Sequence, residues 1–468
     1  MKKLNAAILF VFAILLWFSS CKKSETFYSG KSDALRFSSD TVFFDTVFTR
    51  LPGSAYPRSV NKQFFIVNKQ QNAVKATAFL GGGEESPYRI NIDGVAGVSF
   101  SDIVIPQGDS LICFVEVTIE PNNLLNPAII LDSIVFTING NQQQVILGAY
   151  GWDAQYFRAF VFEENTLLSD ATKPIVIVNS VLVAENVTVE IGPDVHIYSS
   201  PTSVFYVRGT LKVLGTESNP VVFQGDRLQP SFKEVAGQWV GIHLLSESKD
   251  NLIENCLIKN AQVGVRVDSL PVNSNPKLRI AQVEIRNSSF YGLLGITTHI
   301  NAQNMLIGAA GSYGFLGYWG GNYDFKHCSF TSGFKGFRTQ PAFVITNQEL
   351  DENDRFVRSF PIAYTIENSV IYGPLDDELI LDIHPSSPPS VAVLSHSLIK
   401  TDIYKDTLAL NLDLIINQNP LFENPREGLF KPKSDSPLRA AGKSLSPPIS
   451  SDLQGNMRGV PPTIGAIE

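Results

Sequence analysis

Two groups of residues in this 468-residue chain have the types and spacing for chemistry. The first is Asp376-Asp377-Glu378, with Asp382 and His384 close behind. Paired carboxylates serve a glycosidase as acid and base, or hold Ca²⁺ for a lyase. The second is a run of rings: Tyr313, Phe315, Tyr318, Trp319, Tyr323 and Phe325, with Asp324 and Lys326 beside them and glycines between. On a strand, alternate members of such a run point inward and the others face out. Outward Tyr and Trp suit sugars, which offer apolar C–H faces with hydroxyl rims. Tyr318, Trp319 and Tyr323 are the candidate ligand face; the plainer alternative is that they pack under the next loop. The acidic group reads first as a polar loop on a strand edge. No catalytic residue is therefore assigned, and Asp376, Asp377, Asp382 and His384 stand only as candidates.

The elements that must position these groups show as a repeat. Four segments superpose: Asn255-Cys256-Leu257-Ile258, Gln282-Val283-Glu284-Ile285, Asn304-Met305-Leu306-Ile307 and His327-Cys328-Ser329-Phe330. Glycines follow at Gly264, Gly292, Gly314 and Gly336, in steps of 28, 22 and 22 residues. Asn368-Ser369-Val370-Ile371 and His396-Ser397-Leu398-Ile399 fit the same template. A unit recurring at this period marks a stack of coils, and short β-branched strands mark it as β. Ile258, Ile285, Ile307 and Phe330 should form one inward file, and Cys256, Val283, Met305 and Cys328 another. The polar leaders Asn255, Gln282, Asn304, His327, Asn368 and His396 form a third file, either an internal amide ladder at a turn or a solvated strand start, and we expect the solvated form. The acidic insert 347–354 should project as a loop.

Upstream, residues 34–151 read as a separate domain. Leu111, Cys113, Val115, Val117 and Ile119 alternate along one face; Ile134, Phe136 and Ile138 do the same before an Asn139-Gly140 hairpin turn. At the start, Lys2-Lys3, an apolar run over 6–18 and Phe18-Ser19-Ser20-Cys21 read as a targeting segment, too short to span a bilayer. Residues 21–33 then form a polar tether. The net charge of −8 argues against nucleic acid. No CxxC or HxxxH spacing suggests a metal site, and no cofactor motif occurs. Cys256 and Cys328, three rungs apart, should lie roughly 14 Å from each other, beyond the ~7 Å reach of a disulfide. The scattered His196, His243 and His299 read as strand-surface residues.

Several stretches resemble known families. Phe18 to Cys21 resembles a bacterial lipobox, which implies that 1–20 is a lipoprotein signal peptide and that Cys21 carries the lipid that holds the protein on a membrane. "FFIVN … PYRINIDG … IPQGDSLICFVEVTIEP … VILGAYG" is similar to immunoglobulin-like modules of the abnormal-spindle/Hydin type, a spacer rather than a chemical site. "VTVEIGPDVHIY … FYVRGTLKVLGTESNPVVFQGDR" and "GQWVGIHL" resemble the first coils of right-handed parallel β-helix proteins of bacterial envelopes. The end, "NPLFENPREGLFKPKSDSPLRAAGKS … SDLQGNMRGVPPTIGAIE", resembles the segment that closes such a helix. The β-helix polygalacturonases pair Asp-Asp with downstream His-Gly and Arg-Lys motifs; this chain has neither His-Gly nor Arg-Ile-Lys. The expected fold is all-β: an immunoglobulin-like β-sandwich (34–151), then a right-handed parallel β-helix solenoid (152–430) and a C-terminal closing segment (431–468). The expected role is that of a non-catalytic cell-envelope, outer-membrane lipoprotein presenting a rigid surface to a polysaccharide or an envelope protein. The competing role is a polysaccharide lyase or glycoside hydrolase with a groove along the helix.

Overall fold

The computed structural model describes residues 26–30, 34–51, 61–121, 127–331 and 338–468. The targeting segment, Cys21 and Gly336 lie outside the described residues. The chain divides into two compact units, Met1–Trp152 and Asp153–Glu468. Both are β throughout their cores.

In the first unit two five-stranded sheets share one core. One sheet joins Leu35–Phe37, Lys62–Asn68, Ser110–Val117, Tyr88–Ile92 and Val95–Gly97, all antiparallel. The other joins Thr41–Phe48, Asn141–Trp152, Ala128–Ile138, Val74–Leu80 and Ser99–Ile105. Strict alternation dictates which face is buried: along Val74–Leu80 every second residue is inside. Cys113, Val115 and Val117, and Ile134, Phe136 and Ile138, are buried as their spacing requires. The hairpin turn has positive φ at both Asn139 and Gly140, the twist-compatible geometry for two-residue loops. This is a sandwich of the immunoglobulin-like kind.

The second unit is dominated by one continuous sheet of 22 strands, with parallel pairings throughout. The superposed segments pair in register: Ile258 with Ile285, Ile285 with Ile307, and Ile307 with Phe330. The file runs further in both directions, from Phe223 through Ile371 and Ile399 to Ile416. Those from Phe223 to Ile399 are fully buried. Beside them Val221, Cys256, Val283 and Met305 pair in succession. Cys113, Cys256 and Cys328 are free, buried thiols, which burial raises in pKa, Cys113 and Cys328 to about 12.

The repeat glycines have a steric cause. A Cβ on Gly264 would lie 2.4 Å from Ile285 Cγ2 and 2.5 Å from the carbonyl oxygen of Gly292. One on Gly292 would meet Ile307 Cγ2 at 2.4 Å and the Gly314 carbonyl at 2.7 Å. Close approach between successive paired segments therefore fixes these positions as glycine.

The polar leaders are corners. Asn255, Gln282, Asn304, His327, Asn368 and His396 all have φ between 44° and 52°. One left-handed residue bends the strand onto the next face, and Asn tolerates that conformation best among residues with side chains. The expectation that this file is solvated fails at Asn304, His327 and Asn368, which are buried. The C-terminal residues cover them. Asn304 Nδ2 donates to the Ser451 carbonyl at 2.8 Å, Arg458 Nη2 donates to Asn304 Oδ1 at 2.6 Å, and Asn368 Nδ2 donates to the Lys443 carbonyl at 2.8 Å. Leu438, Ile464, Ala466 and Ile467 also pack on the outward residues Leu306, Val370 and Leu398, a second small core along this flank. The insert after Asn347 is an antiparallel hairpin, Gln348–Leu350 with Phe356–Ser359, rather than a plain loop.

Candidate ligand-binding face

Strand Phe315–Lys326 carries the ring-rich run. Its alternation sends Phe315, Tyr323 and Phe325 into the core and leaves Tyr318 outside, 37% exposed. Tyr323 does not join the ligand face: it is fully buried against Phe315, with ring centroids 5.1 Å apart. Tyr323 stands five residues from Tyr318 and eight from Phe315, so alternation alone puts it on the inward face, and the positive φ of Gly320 and Gly321 leaves that parity unchanged. Its hydroxyl donates to the Gly320 carbonyl at 2.7 Å. Burial pushes its pKa well above the usual phenol range. Tyr323 thus holds the turn that presents the other two rings.

Those two rings stack. Tyr318 and Trp319 have centroids 4.6 Å apart at 27°. Trp319 in turn stacks on Phe360, at 6.0 Å and 19°, and the Arg358 guanidinium lies 5.0 Å from the Phe360 ring centre. Trp319 sits at φ 57°, a conformation that costs a bulky L-residue roughly 1–2 kcal/mol. The Thr297 hydroxyl helps to hold it by donating to the Trp319 carbonyl at 2.8 Å. A Cβ at Gly320 would come within 2.4 Å of the Pro361 carbonyl oxygen, so only glycine lets the Phe360 segment close over Trp319. The indole Nε1 has no hydrogen-bond partner. The ladder is anchored by the hairpin, where Arg358 Nε donates to Glu349 Oε2 at 2.5 Å. Phe360 and Arg358 escaped the sequence reading, because they stand outside the repeat and only the hairpin returns them to Trp319.

The acidic candidates are engaged structurally. Asp377 accepts from Thr401 Oγ1 at 2.9 Å and from the backbone N–H groups of Asp402 and Ile403 at 2.7 and 2.8 Å. Burial raises its pKa, but these hydrogen bonds outweigh it and hold the carboxyl below its usual range. Glu378 is fully buried; its two oxygens accept from Arg338 Nη2 at 2.7 and 2.6 Å, and Oε2 also accepts from the Ala342 N–H. Asp382 accepts from Thr346 Oγ1 at 2.9 Å and Gln348 Nε2 at 2.5 Å. His384 stacks on Phe356 at 3.8 Å, and its Nδ1 lies 2.7 Å from Ser386 Oγ. Asp376 is exposed. Asp377 and Asp382 are tied to different segments, and each carboxylate of the group except Asp376 already accepts hydrogen bonds from the protein.

Of the remaining histidines, His243 is held by a carboxylate: Nε2 lies 2.7 Å from Asp268 Oδ2, while Arg266 Nε donates to Asp268 Oδ1 at 2.9 Å. The in-register pairing of His243 with Arg266 creates this cluster, which no sequence spacing announces. Among the described residues no group of three or more His, Cys, Asp or Glu side chains is placed to hold a metal ion.

No protein-family model matches the chain, and no curated protein matches it. Among solved structures, one that resembles part of it is a family 123 glycoside hydrolase from Clostridium perfringens, at 9% identity and TM-score 0.19, covering 27% of this chain. The chain spans 30% of that enzyme's length. Another is a PapD-like (ASH) domain of human CEP192, at 10% identity and TM-score 0.17, covering 30% of this chain and 97% of that domain. At such scores neither likeness carries an argument about fold or activity.

Proposed function

We propose that this protein is a cell-envelope lipoprotein whose second unit, a right-handed parallel β-helix, binds glycan without catalysis on the face built around Tyr318 and Trp319. The first unit, as an immunoglobulin-like module of the abnormal-spindle/Hydin type, would act as spacer between that face and a lipid at Cys21. The observation that carries the binding reading is the stacked ladder Tyr318–Trp319–Phe360, half open to solvent and backed by strands in register. Flat rings on a rigid sheet are pre-organised and lose little entropy on binding. The enzyme reading needs carboxylates converging on one groove, whereas Asp377, Glu378 and Asp382 are engaged by different segments and only Asp376 is left exposed.

Two measurements test the reading. A glycan array probed with the purified protein should show retention that Tyr318→Ala and Trp319→Ala each weaken about tenfold or more, a loss of ~1.4 kcal/mol or more per ring. Unchanged retention in both variants, or release of product from a polysaccharide, would reject it. For the anchor, metabolic labelling with an alkyne fatty acid should mark the wild type and not Cys21→Ser; an unlabelled wild type rejects the anchor.

A further inference from the structure

Next to the C-terminal segment the sheet changes character. Where residues 438–467 press on the flank, the strand residues beneath are apolar: Leu306, Val370 and Leu398. On the adjoining face the segment 443–451 stands off, and a groove of about 730 Å³ opens between it and the sheet. Its floor is polar. Asn301 lies on the strand that pairs Arg279, Asn301 and Asp324 in succession, and Gln303 on the neighbouring file Ala281–Gln303–Lys326–Glu367. Gln282, at the corner, also lines it.

The charges in this groove cancel locally. Lys326 Nζ pairs with Asp324 Oδ2 at 2.9 Å, and Lys443 pairs with Glu367. The amides are different: Gln282, Asn301 and Gln303 line the groove and their side chains make no hydrogen bond within the described structure. Each amide offers two donors and an acceptor oxygen with two lone pairs. Three unspent amides at half-exposed positions around one groove, with neutralised charges at its edge, have the donor and acceptor pattern of a hydroxyl-rich, uncharged ligand. A cover that served only to bury the sheet would face the kind of apolar file seen on the flank.

We infer that this groove is a second binding site, distinct from the ring ladder, and that it takes a neutral oligosaccharide through paired amide–hydroxyl hydrogen bonds. It needs neither Tyr318 nor Trp319. Selectivity against anionic sugars follows because Asp324 and Glu367 already occupy the two lysines.

The test is calorimetric titration of the purified protein with maltohexaose, cellohexaose and a neutral mannan hexasaccharide, against hexagalacturonate as the anionic control. The expected result is binding of at least one neutral hexasaccharide, weakened about tenfold by Asn301→Ala and by Gln303→Ala. Both amide variants alter half-exposed side chains that hold no other group, so a melting curve like wild type should accompany the loss. Binding that falls with Tyr318→Ala and ignores the amide variants overturns the groove and leaves the ring face standing. Preference for hexagalacturonate, or no heat with any of the four sugars, overturns the groove as well.

Discussion

At the residue scale the most informative side chain is His327. It is 1% exposed, and Asn368 Nδ2 lies 2.9 Å from its Nε2. Burial first, and the nearby Arg458 charge second, push its pKa down to about 3. The unfolded chain would titrate near 6.5, so between these values the unfolded state binds the extra proton. Stability contributed here is complete above about pH 6.5 and is lost as pH falls toward 3. The loss over that window is on the order of a few kcal/mol for one such group. Denaturant melts from pH 7 to pH 4 should therefore show a shallower decline in His327→Gln than in wild type; parallel declines would contradict the buried neutral imidazole. The sequence showed His327 as a member of a repeated column but not its burial. The cover comes from residues more than a hundred positions downstream, and the column's own spacing carries no trace of it.

At the element scale the C-terminal segment decides how much of the second unit is solvent-tolerant. Arg458 Nη2 donates to Asn304 Oδ1 at 2.6 Å and to the carbonyls of Gly465 and Ala466 at 3.0 and 3.3 Å. One guanidinium thus staples the segment to a corner of the sheet, and the Ser329 hydroxyl accepts the Ala466 N–H at 3.0 Å close by. Arg458→Ala should cost at least about 2 kcal/mol, since it leaves buried acceptors without a charged donor. It should also raise binding of a hydrophobic dye as Leu306, Val370 and Leu398 lose their cover. A variant that melts like wild type and binds no more dye would show that the segment is held by its apolar contacts alone. The strands themselves were legible from period and alternation, and so were the turn at Asn139-Gly140 and the inward file of Ile258, Ile285 and Ile307. The inward parity of Tyr323 was legible as well, since it stands eight residues from Phe315 and five from Tyr318; what was not legible is Trp319, whose positive φ lets a ring of inward parity stack on Tyr318. The acidic cluster misled for a related reason: carboxylates that cap turns and carboxylates that do chemistry look alike until their partners are known.

For the whole molecule, the parallel strands paired in register across the second unit are what turn a linear sequence into surfaces. Buried files of Ile, Val and Phe set the register, and register alone brings Tyr318 next to Ile296, His243 next to Arg266, and Asn301 next to Asp324. The ring face and the amide groove both depend on it, since a slip of one residue would turn each outward file inward. The most direct measurement is therefore cross-linking of cysteine pairs placed on the outward files. Arg279→Cys with Asn301→Cys are in-register neighbours and should oxidise to an intrachain disulfide in the folded protein. Arg279→Cys with Gln303→Cys, displaced by two residues along the strand to roughly 8 Å, should remain reduced. Equal oxidation of both pairs, or of the second alone, would contradict the stacking from which both binding faces are derived.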